Sequence, residues 1–220
     1  MRKFYYNSSR ELILLLALMA LPWGGTNLGA QSQPSLKTSA LESHEGMTIS
    51  ARPWTNPALY KEKFHKKSPY AAGIVAVQVT FRNDSDDSLK VNLERIRLNI
   101  TLPEDNRQAL DALTSEEAAD LILKPSAKNL GKSRWPIPIG GPKVGRDKKW
   151  VEVEQELREA GVRASVVAPR SSVQGLLYFD LQGQFDLLNT SRLYVPDVVA
   201  LEKNHELLYF EIDLSQAGAQ

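Results

Sequence analysis

The residues most capable of contacting a ligand lie in a basic segment that runs from Lys124 to Trp150. Lysines and arginines recur along it against a single acid, Asp147, and Trp135 stands among prolines in its middle. An indole combines a flat apolar face with an N–H donor, which suits contacts with sugars and proteins, and loops often carry binding. The segment is therefore predicted to bind an anionic glycan, an anionic lipid or an envelope protein. The candidate residues are Arg134, Trp135, Lys143, Arg146 and Trp150.

A simpler interpretation of the same segment stays open. Trp135 and Ile137 could pack back over the edge of the domain, while the lysines keep a long loop soluble. A structureless loop of this length in a compact domain is more often functional or disordered than neutral. The segment therefore remains the leading candidate for a contact surface.

Residues for catalysis form no recognisable motif. Histidine occurs at His44, His65 and His205, and none of them belongs to H-E-x-x-H. No serine lies in G-x-S-x-G, the usual nucleophile turn of hydrolases. A scattered Ser–His–Asp triad stays open, because triads are recognised by geometry rather than by sequence position. The sequence predicts surface histidines, no catalytic residue, no metal site and no cofactor.

Two local patterns resemble ligand loops and fail in detail. The Gly-Lys-Ser triplet at residues 131–133 would need a glycine where Ser126 stands in order to form a phosphate loop. Asp84, Asp86 and Asp87 could offer oxygen ligands to calcium, but the spacing of an EF-hand is not met. Acidic residues also favour hairpin turns for local reasons, so a weak calcium site remains only an alternative.

The N-terminal segment has the order of regions found in secretory signal peptides. Arg2, Lys3 and Arg10 are basic, an apolar run follows from Leu12 to Leu21, and small residues lead to Ala30. The apolar run is shorter than the roughly 20 residues that a membrane-spanning helix needs. We therefore expect a signal peptide over residues 1–30, a periplasmic or secreted protein and no permanent membrane span.

Composition narrows the class of protein further. The chain has 220 residues, no cysteine and a formal net charge of +1. An exported protein without cysteine must rely on its own core rather than on disulfides. A charge so close to neutral argues against nucleic acid as a partner. Residues 31–45 are predicted as a flexible linker and residues 46–220 as a single domain, whose oligomeric state is left open.

Strand patterns dominate the first part of this domain. Residues 47–51 alternate in polarity, and a short helical turn is expected over 56–64. The clearest strand runs from Ile74 to Phe81, with β-branched residues at a period of two. After a turn rich in Asn, Asp and Ser, the apolar phase shifts by one residue at Glu94 and Arg95. The pattern predicts a long antiparallel hairpin with a β-bulge at that shift.

An insertion at about residues 103–161 interrupts the strand pattern. Thr114 and Glu117 have the spacing of a capping box, which predicts the start of a helix. A second amphipathic helix is expected over about 149–160, ending at Gly161.

The C-terminal third returns to strand patterns, at residues 162–167, 172–181, 191–195 and 207–214. Strands at both ends of the domain with helices between them predict a mainly β fold, an antiparallel β-sandwich with a helical and loop insertion.

Two series of residues carry a resemblance to a known class of domain. The first is Val75, Gln78, Val79, Phe81, Arg82 and Asn83; the second is Val167-Ala168-Pro169 leading to Gly175-Leu176-Leu177-Tyr178-Phe179-Asp180. Together they resemble exported immunoglobulin-like domains of bacterial proteins of unknown function. The resemblance implies an immunoglobulin-like sandwich and carries over no active site. The insertion at about 103–161 departs from that pattern.

The leading hypothesis is a non-catalytic, exported binding or scaffolding module of the cell envelope. A small envelope hydrolase, with catalytic groups on loops at one end of the sandwich, is an alternative. So is a carbohydrate-binding domain that uses Trp135, Trp54 or Trp150. An enzyme needs converging polar groups, and a glycan binder needs an exposed aromatic ring.

Overall fold

The computed structural model describes residues 40–123 and 147–215, and these residues form a mainly β fold. The strands, in chain order, are β1 (Ala40–His44), β2 (Met47–Pro53), β3 (Ile74–Asn83), β4 (Leu89–Val91), β5 (Arg97–Thr101), β6 (Arg107–Asp111), β7 (Val166–Val167), β8 (Ser172–Asp180), β9 (Ser191–Val195), β10 (Val198–Ala200), β11 (His205–Glu206) and β12 (Phe210–Asp213). The α-helices are α1 (Pro57–Lys63), α2 (Ser115–Leu123) and α3 (Lys148–Ala160). This confirms the mainly β class.

The described strands form three antiparallel sheets. Sheet A has the order β1-β2-β3-β8, sheet B has β11-β10-β4-β7, and sheet C has β12-β9-β5-β6. All three sheets contribute apolar side chains to one core, in which Phe81, Phe179 and Phe210 are almost fully buried. Burial of this apolar surface supplies the main stabilisation in a chain that has no disulfide to add.

Strand β3 is buried on both faces, because sheet A packs against two layers. Val75, Val77 and Val79 point into the core shared with sheets B and C. Ile74 and Ala76 point the other way, into a second cluster with Tyr60 of α1 and with residues of α2 and α3. The helices therefore cover the outer face of one end of sheet A.

The predicted hairpin between the strand at Ile74–Phe81 and the following segment is wrong. Strand β3 pairs with β2 and β8, whereas β4 joins sheet B and β5 joins sheet C. The phase shift at Glu94 and Arg95 is real, but a 3-10 turn over Leu93–Arg95 absorbs it, not a β-bulge. That turn lets the chain leave one sheet and enter another, which a bulge within one ladder could not do.

The linker predicted over residues 31–45 is wrong from Ala40 onward. Residues Ala40–His44 form β1, which pairs along its whole length with β2. The alternation that marks β1 is weak in sequence, because its inward residues include Glu42 and His44 rather than aliphatic side chains. The C-terminal strand predicted over 207–214 is also shorter, since β12 begins only at Phe210.

The helices of the insertion are confirmed. Glu117 N donates to Thr114 Oγ1 at 3.2 Å, and Thr114 N donates to Glu117 Oε2 at 2.9 Å, which completes the capping box of α2. Asp147 caps α3 by accepting from Trp150 N at 2.8 Å. The same insertion also holds β6, a strand that the sequence analysis did not predict.

Residues of the two resembling series meet in the fold. Asn83 is fully buried, and its Nδ2 lies 3.1 Å from each of the carbonyl oxygens of Val167 and Ala168. Its Oδ1 accepts from Ser85 N at 2.9 Å and so shapes the turn after β3. Gly175 lies where the chain at Gly161 crosses β8, and a Cβ there would fall 2.6 Å from the Gly161 carbonyl carbon. Both residues therefore serve packing.

The helices among the described residues are too short and too polar to cross a bilayer.

Candidate binding groove

The predicted contact surface is described only at its end. Arg134, Trp135, Lys143 and Arg146 lie outside the described residues. Trp150 lies in α3 with 8% of its surface exposed, among the residues that pack the helices onto sheet A. Its indole Nε1 donates to Asp120 Oδ1 at 2.7 Å. Trp150 therefore packs the helices onto sheet A, and the ligand contact predicted for it stays a prediction.

The structure brings together two of the three histidines. His44 Nδ1 lies 3.6 Å from Glu45 Oε2, and His205 Nε2 lies 3.8 Å from Glu45 Oε1. The His44 ring stacks on Phe210 at 3.8 Å with an interplanar angle of 10°, so it is not the solvated surface residue that the sequence suggested. His65 is far more exposed and lies 3.7 Å from Glu156.

These groups do not build a metal centre. In the described part of the chain, no set of three or more histidines and carboxylates is placed to hold a metal ion. The aspartates of the 83–88 turn diverge toward separate cations. Asp84 pairs with Arg82, Asp86 with Arg170, and Asp87 with Lys203. Each of these carboxylates is paired with a separate cation, and the three do not form a cluster that could hold a calcium ion.

A groove of about 670 Å³ lies on the outer face of sheet C. This volume is within the roughly 300–1,000 Å³ typical of ligand sites. Its floor is made by Asn99 and Ala109, which lie opposite each other across β5 and β6. Arg107 and Arg192 border it on either side. The small side chain of Ala109 leaves the depression that its larger neighbours surround.

Several polar side chains of the groove have no partner among the described residues. Asn99, Arg107 and Asn189 all line it, and none of these side chains makes a hydrogen bond or ion pair within residues 40–123 and 147–215. An amide can donate and accept at once, and a guanidinium offers donors only. The groove therefore presents amides suited to hydroxyl groups and one cation suited to an acidic group.

The acidic side of the groove is already neutralised. Arg192 Nη1 lies 3.4 Å from Glu211 Oε2. Hydrogen bonds from the Ser215 hydroxyl and backbone N–H, with a smaller effect of the Arg192 charge, lower the pKa of Asp213. Arg107 is thus the lining cation that has no carboxylate partner in the described part of the chain.

Two tyrosines extend this face beyond the groove. Tyr194 lies opposite Glu211 and Arg97 in the sheet register. Its ring centroid is 5.4 Å from that of Tyr209, which precedes β12 and is 57% exposed. Groove and tyrosine pair together give the outer face of sheet C hydrogen-bonding groups at one end and exposed aromatic surface at the other.

The buried polar groups elsewhere serve the fold. Tyr60 Oη donates to the Trp54 carbonyl at 2.8 Å and accepts from Ala76 N at 2.8 Å. Tyr178 Oη donates to the Leu157 carbonyl at 2.9 Å. Burial raises the pKa of both tyrosines, so their hydroxyls stay protonated. A structural hydrogen bond thus occupies each of these hydroxyls.

Sequence reasoning missed the groove for an identifiable reason. The outer residues of β5 (Arg97, Asn99 and Thr101) alternate with buried Leu98 and Ile100, which is an ordinary solvent-facing strand pattern. What makes the face distinctive is the register that sets Asn99 beside both Ala109 and Arg192. That register joins strands far apart in sequence, and no local pattern reports it.

The chain matches no protein-family model and no curated protein. A solved structure of a functionally unknown protein from Listeria monocytogenes EGD-e is similar with a TM-score of 0.34 and 15% sequence identity. The match covers 72% of this chain and 71% of that one. A likeness at this level assigns no function.

Proposed function

We propose that this protein is an exported, non-catalytic module of the cell envelope that binds an anionic glycan along the outer face of sheet C. The observation that carries the proposal is the set of unpartnered side chains around the groove: Asn99, Arg107 and Asn189. In the 83–88 turn, by contrast, Asp84, Asp86 and Asp87 are each paired with a cation.

The chemistry of the groove favours a sugar that carries an acidic group. Amides hydrogen-bond to neighbouring hydroxyls as donor and acceptor, and the free Arg107 guanidinium pairs with a carboxylate or sulfate. Tyr209 offers the exposed ring that a glycan site commonly needs. The ligand would lie across the strands, from the groove toward Tyr209.

The alternative of an envelope hydrolase has less support. Glycoside hydrolysis requires one carboxyl group that stays protonated as the general acid, together with an ionised partner. In the groove Asp213 has a lowered pKa, which makes it a poor proton donor at neutral pH. Glu211 Oε2 is engaged in an ion pair, 3.4 Å from Arg192 Nη1. The groove therefore suits binding better than acid catalysis.

The envelope assignment rests on the N-terminal pattern of residues 1–30, whose basic, apolar and small-residue regions are those of a signal peptide. As the frame for the groove we propose the immunoglobulin-like sandwich that the sequence resembles. Antiparallel sheets around a common core support it, and sheet B, with its four short strands, is an addition to the usual two-sheet pattern.

The test is thermal unfolding in the presence of defined polysaccharides. We expect an oligogalacturonate to raise the midpoint and an uncharged cello-oligosaccharide to raise it less. A ligand present at a hundred times its dissociation constant adds about 2.7 kcal/mol to stability, which is a readable shift. Asn99→Ala should abolish the rise with both sugars. Arg107→Ala should remove only the preference for the acidic sugar.

Two controls make the outcome decisive. Polyglutamate supplies negative charge without sugar hydroxyls and should leave the midpoint unchanged. Lys90→Ala removes an exposed cation on β4, outside the groove lining, and should bind like the wild type. The proposal fails if no sugar shifts the midpoint, or if Asn99→Ala and Lys90→Ala respond alike. Release of reducing ends from the sugar would instead identify a hydrolase.

A further inference from the structure

The free edge of sheet C offers a second kind of interaction. Strand β6 is the last strand of this sheet, next to β5, and four of its five residues are exposed. Within the described residues, no strand pairs with its far side. An exposed strand edge of this kind is a template for pairing with another chain.

The hydrogen-bond pattern shows which backbone groups are free. Just outside the strand, Leu102 N donates to the Asn106 carbonyl at 2.7 Å, and Ala112 N donates to the Ile96 carbonyl at 3.3 Å. In an antiparallel ladder the bonded residues alternate, so Gln108 and Leu110 also point toward β5. The alternate residues point outward. Arg107, Ala109 and Asp111 therefore present N–H and C=O groups that nothing in the described part of the chain satisfies.

This edge is complementary to itself. An antiparallel pairing centred on Ala109 places Arg107 opposite Asp111 of a second copy, and Asp111 opposite its Arg107. Within its own chain Asp111 Oδ1 accepts from Arg97 Nε at 2.9 Å, so Arg107 of the second copy would meet a carboxylate that already has one cation beside it. Each of these pairs would exchange two backbone hydrogen bonds, and facing opposite charges stabilise cross-strand neighbours. The methyl group of Ala109 leaves room at the two-fold axis. We propose that two copies of this chain associate through β6 and join their C sheets into one continuous sheet.

The geometry of such a dimer is closed. A two-fold contact uses the same surface on both copies, so pairing of β6 with β6 ends after two chains and does not grow into a fibre. Directly opposite residues in a sheet point to the same face. Both grooves, each lined by Arg107 and Ala109, would thus lie on one side of the joined sheet. A contact through one short strand is small, so we expect a weak, concentration-dependent dimer.

The proposal is tested by exchanging the charges at positions 107 and 111. The protein is produced from the full-length gene, so that any processing is left to the cell. Sedimentation velocity from micromolar to millimolar protein, without any glycan, should show a reversible monomer–dimer equilibrium. Arg107→Asp places two aspartates opposite each other in the homodimer, and Asp111→Arg places two arginines there. Each variant alone should associate at least about tenfold more weakly. Mixing the two variants restores opposite charges and should restore the dimer.

Two further variants exclude trivial explanations. Lys90→Asp reverses an exposed charge on β4 and should dimerise like the wild type. Ala109→Pro removes an outward N–H that β5 does not use; it should give monomers, with thermal unfolding confirming the fold. The proposal is overturned if the wild type stays monomeric up to millimolar concentration. It is equally overturned if both charge variants dimerise normally, or if mixing them fails to restore association.

Discussion

The two edge strands of sheet C, β12 and β6, differ in how their outward backbone groups are hydrogen-bonded. At β12 the outward backbone groups meet side chains from β1: Glu42 accepts from Glu211 N, and His44 Nε2 donates to the Tyr209 carbonyl oxygen at 3.3 Å. At β6 the equivalent groups of Arg107, Ala109 and Asp111 meet nothing among the described residues. One edge is closed by side chains of the same chain, and the other is left open.

This difference means that a further strand can pair with sheet C at one edge only. Strand β1 belongs to sheet A, yet its inward side chains reach across to the edge of sheet C. Natural proteins blunt their strand edges in this way to prevent unwanted pairing. With β12 blocked, any further strand can add only at β6. There the charges of Arg107 and Asp111 favour a second copy of the same strand.

The largest expected effect comes from removing the residue that anchors the closed edge. Phe210 is fully buried and stacks on His44. Phe210→Ala should lower the free energy of unfolding by about 3–5 kcal/mol, because it leaves a cavity where sheets A and C meet. The matched change on the open edge, Leu110→Ala, should cost only about 1 kcal/mol, since Leu110 is half-buried.

Urea unfolding of both variants measures this difference. Phe210→Leu serves as a milder variant if Phe210→Ala does not fold. Equal decreases in the free energy of unfolding for Phe210→Ala and Leu110→Ala would show that β12 is no better anchored than β6.

A smaller effect is expected from the carboxylate that closes the edge. Glu42→Ala leaves the Glu211 N–H without its acceptor and should cost about 1–2 kcal/mol. On the open edge, Arg107→Ala removes an exposed side chain that has no hydrogen bond or ion pair to a described residue, and it should change stability by less than about 0.5 kcal/mol. Chemical denaturation at micromolar protein concentration measures the free energy of unfolding of both variants. Unchanged stability in Glu42→Ala would mean that packing alone holds β1 against β12.

Local patterns predicted the local parts of this fold well. The capping box of Thr114 and Glu117 lies within four residues, and α2 begins there as expected. The period-two pattern of β3 fixed both its position and its inward face. In each case the determining interactions lie close together in sequence, so the sequence reports them directly.

Partners distant in sequence were not predictable in the same way. Leu89 pairs with Ala200 and Val167, and nothing in the adjacent residues indicates that β4 leaves β3 for another sheet. Strand β1 has the sequence pattern of a linker because its inward residues are Glu42 and His44, whose partners lie near residue 210. The groove depends on the same kind of distant register. Its residues could be named only once the pairing of β5 with β6 and β9 was known.

The smallest expected effect is an acid dependence at the end of the closed edge. Glu45 Oε2 accepts from Leu208 N at 2.8 Å, and this hydrogen bond, followed by the charges of His44 and His205, lowers the pKa of Glu45 below its ordinary 4.5. A carboxylate with a lowered folded-state pKa stabilises the fold above its unfolded pKa and loses that contribution as pH falls through the folded value. Wild type should therefore be more stable than Glu45→Gln at neutral pH, with a gap that narrows below about pH 4.5.

Urea midpoints of the two proteins between about pH 3 and pH 7 give the gap directly. His44 and His205 both face this carboxylate, and Glu42 lies 3.9 Å from His44, so the series should be repeated in a His205→Ala background. A narrowing that survives this change does not depend on His205 and belongs to the hydrogen bond from Leu208 together with His44. The absence of any gap would show that a neutral acceptor closes this part of the edge as well as a carboxylate does. A gap that stays constant with pH would show that the ionisation of Glu45 is not its cause.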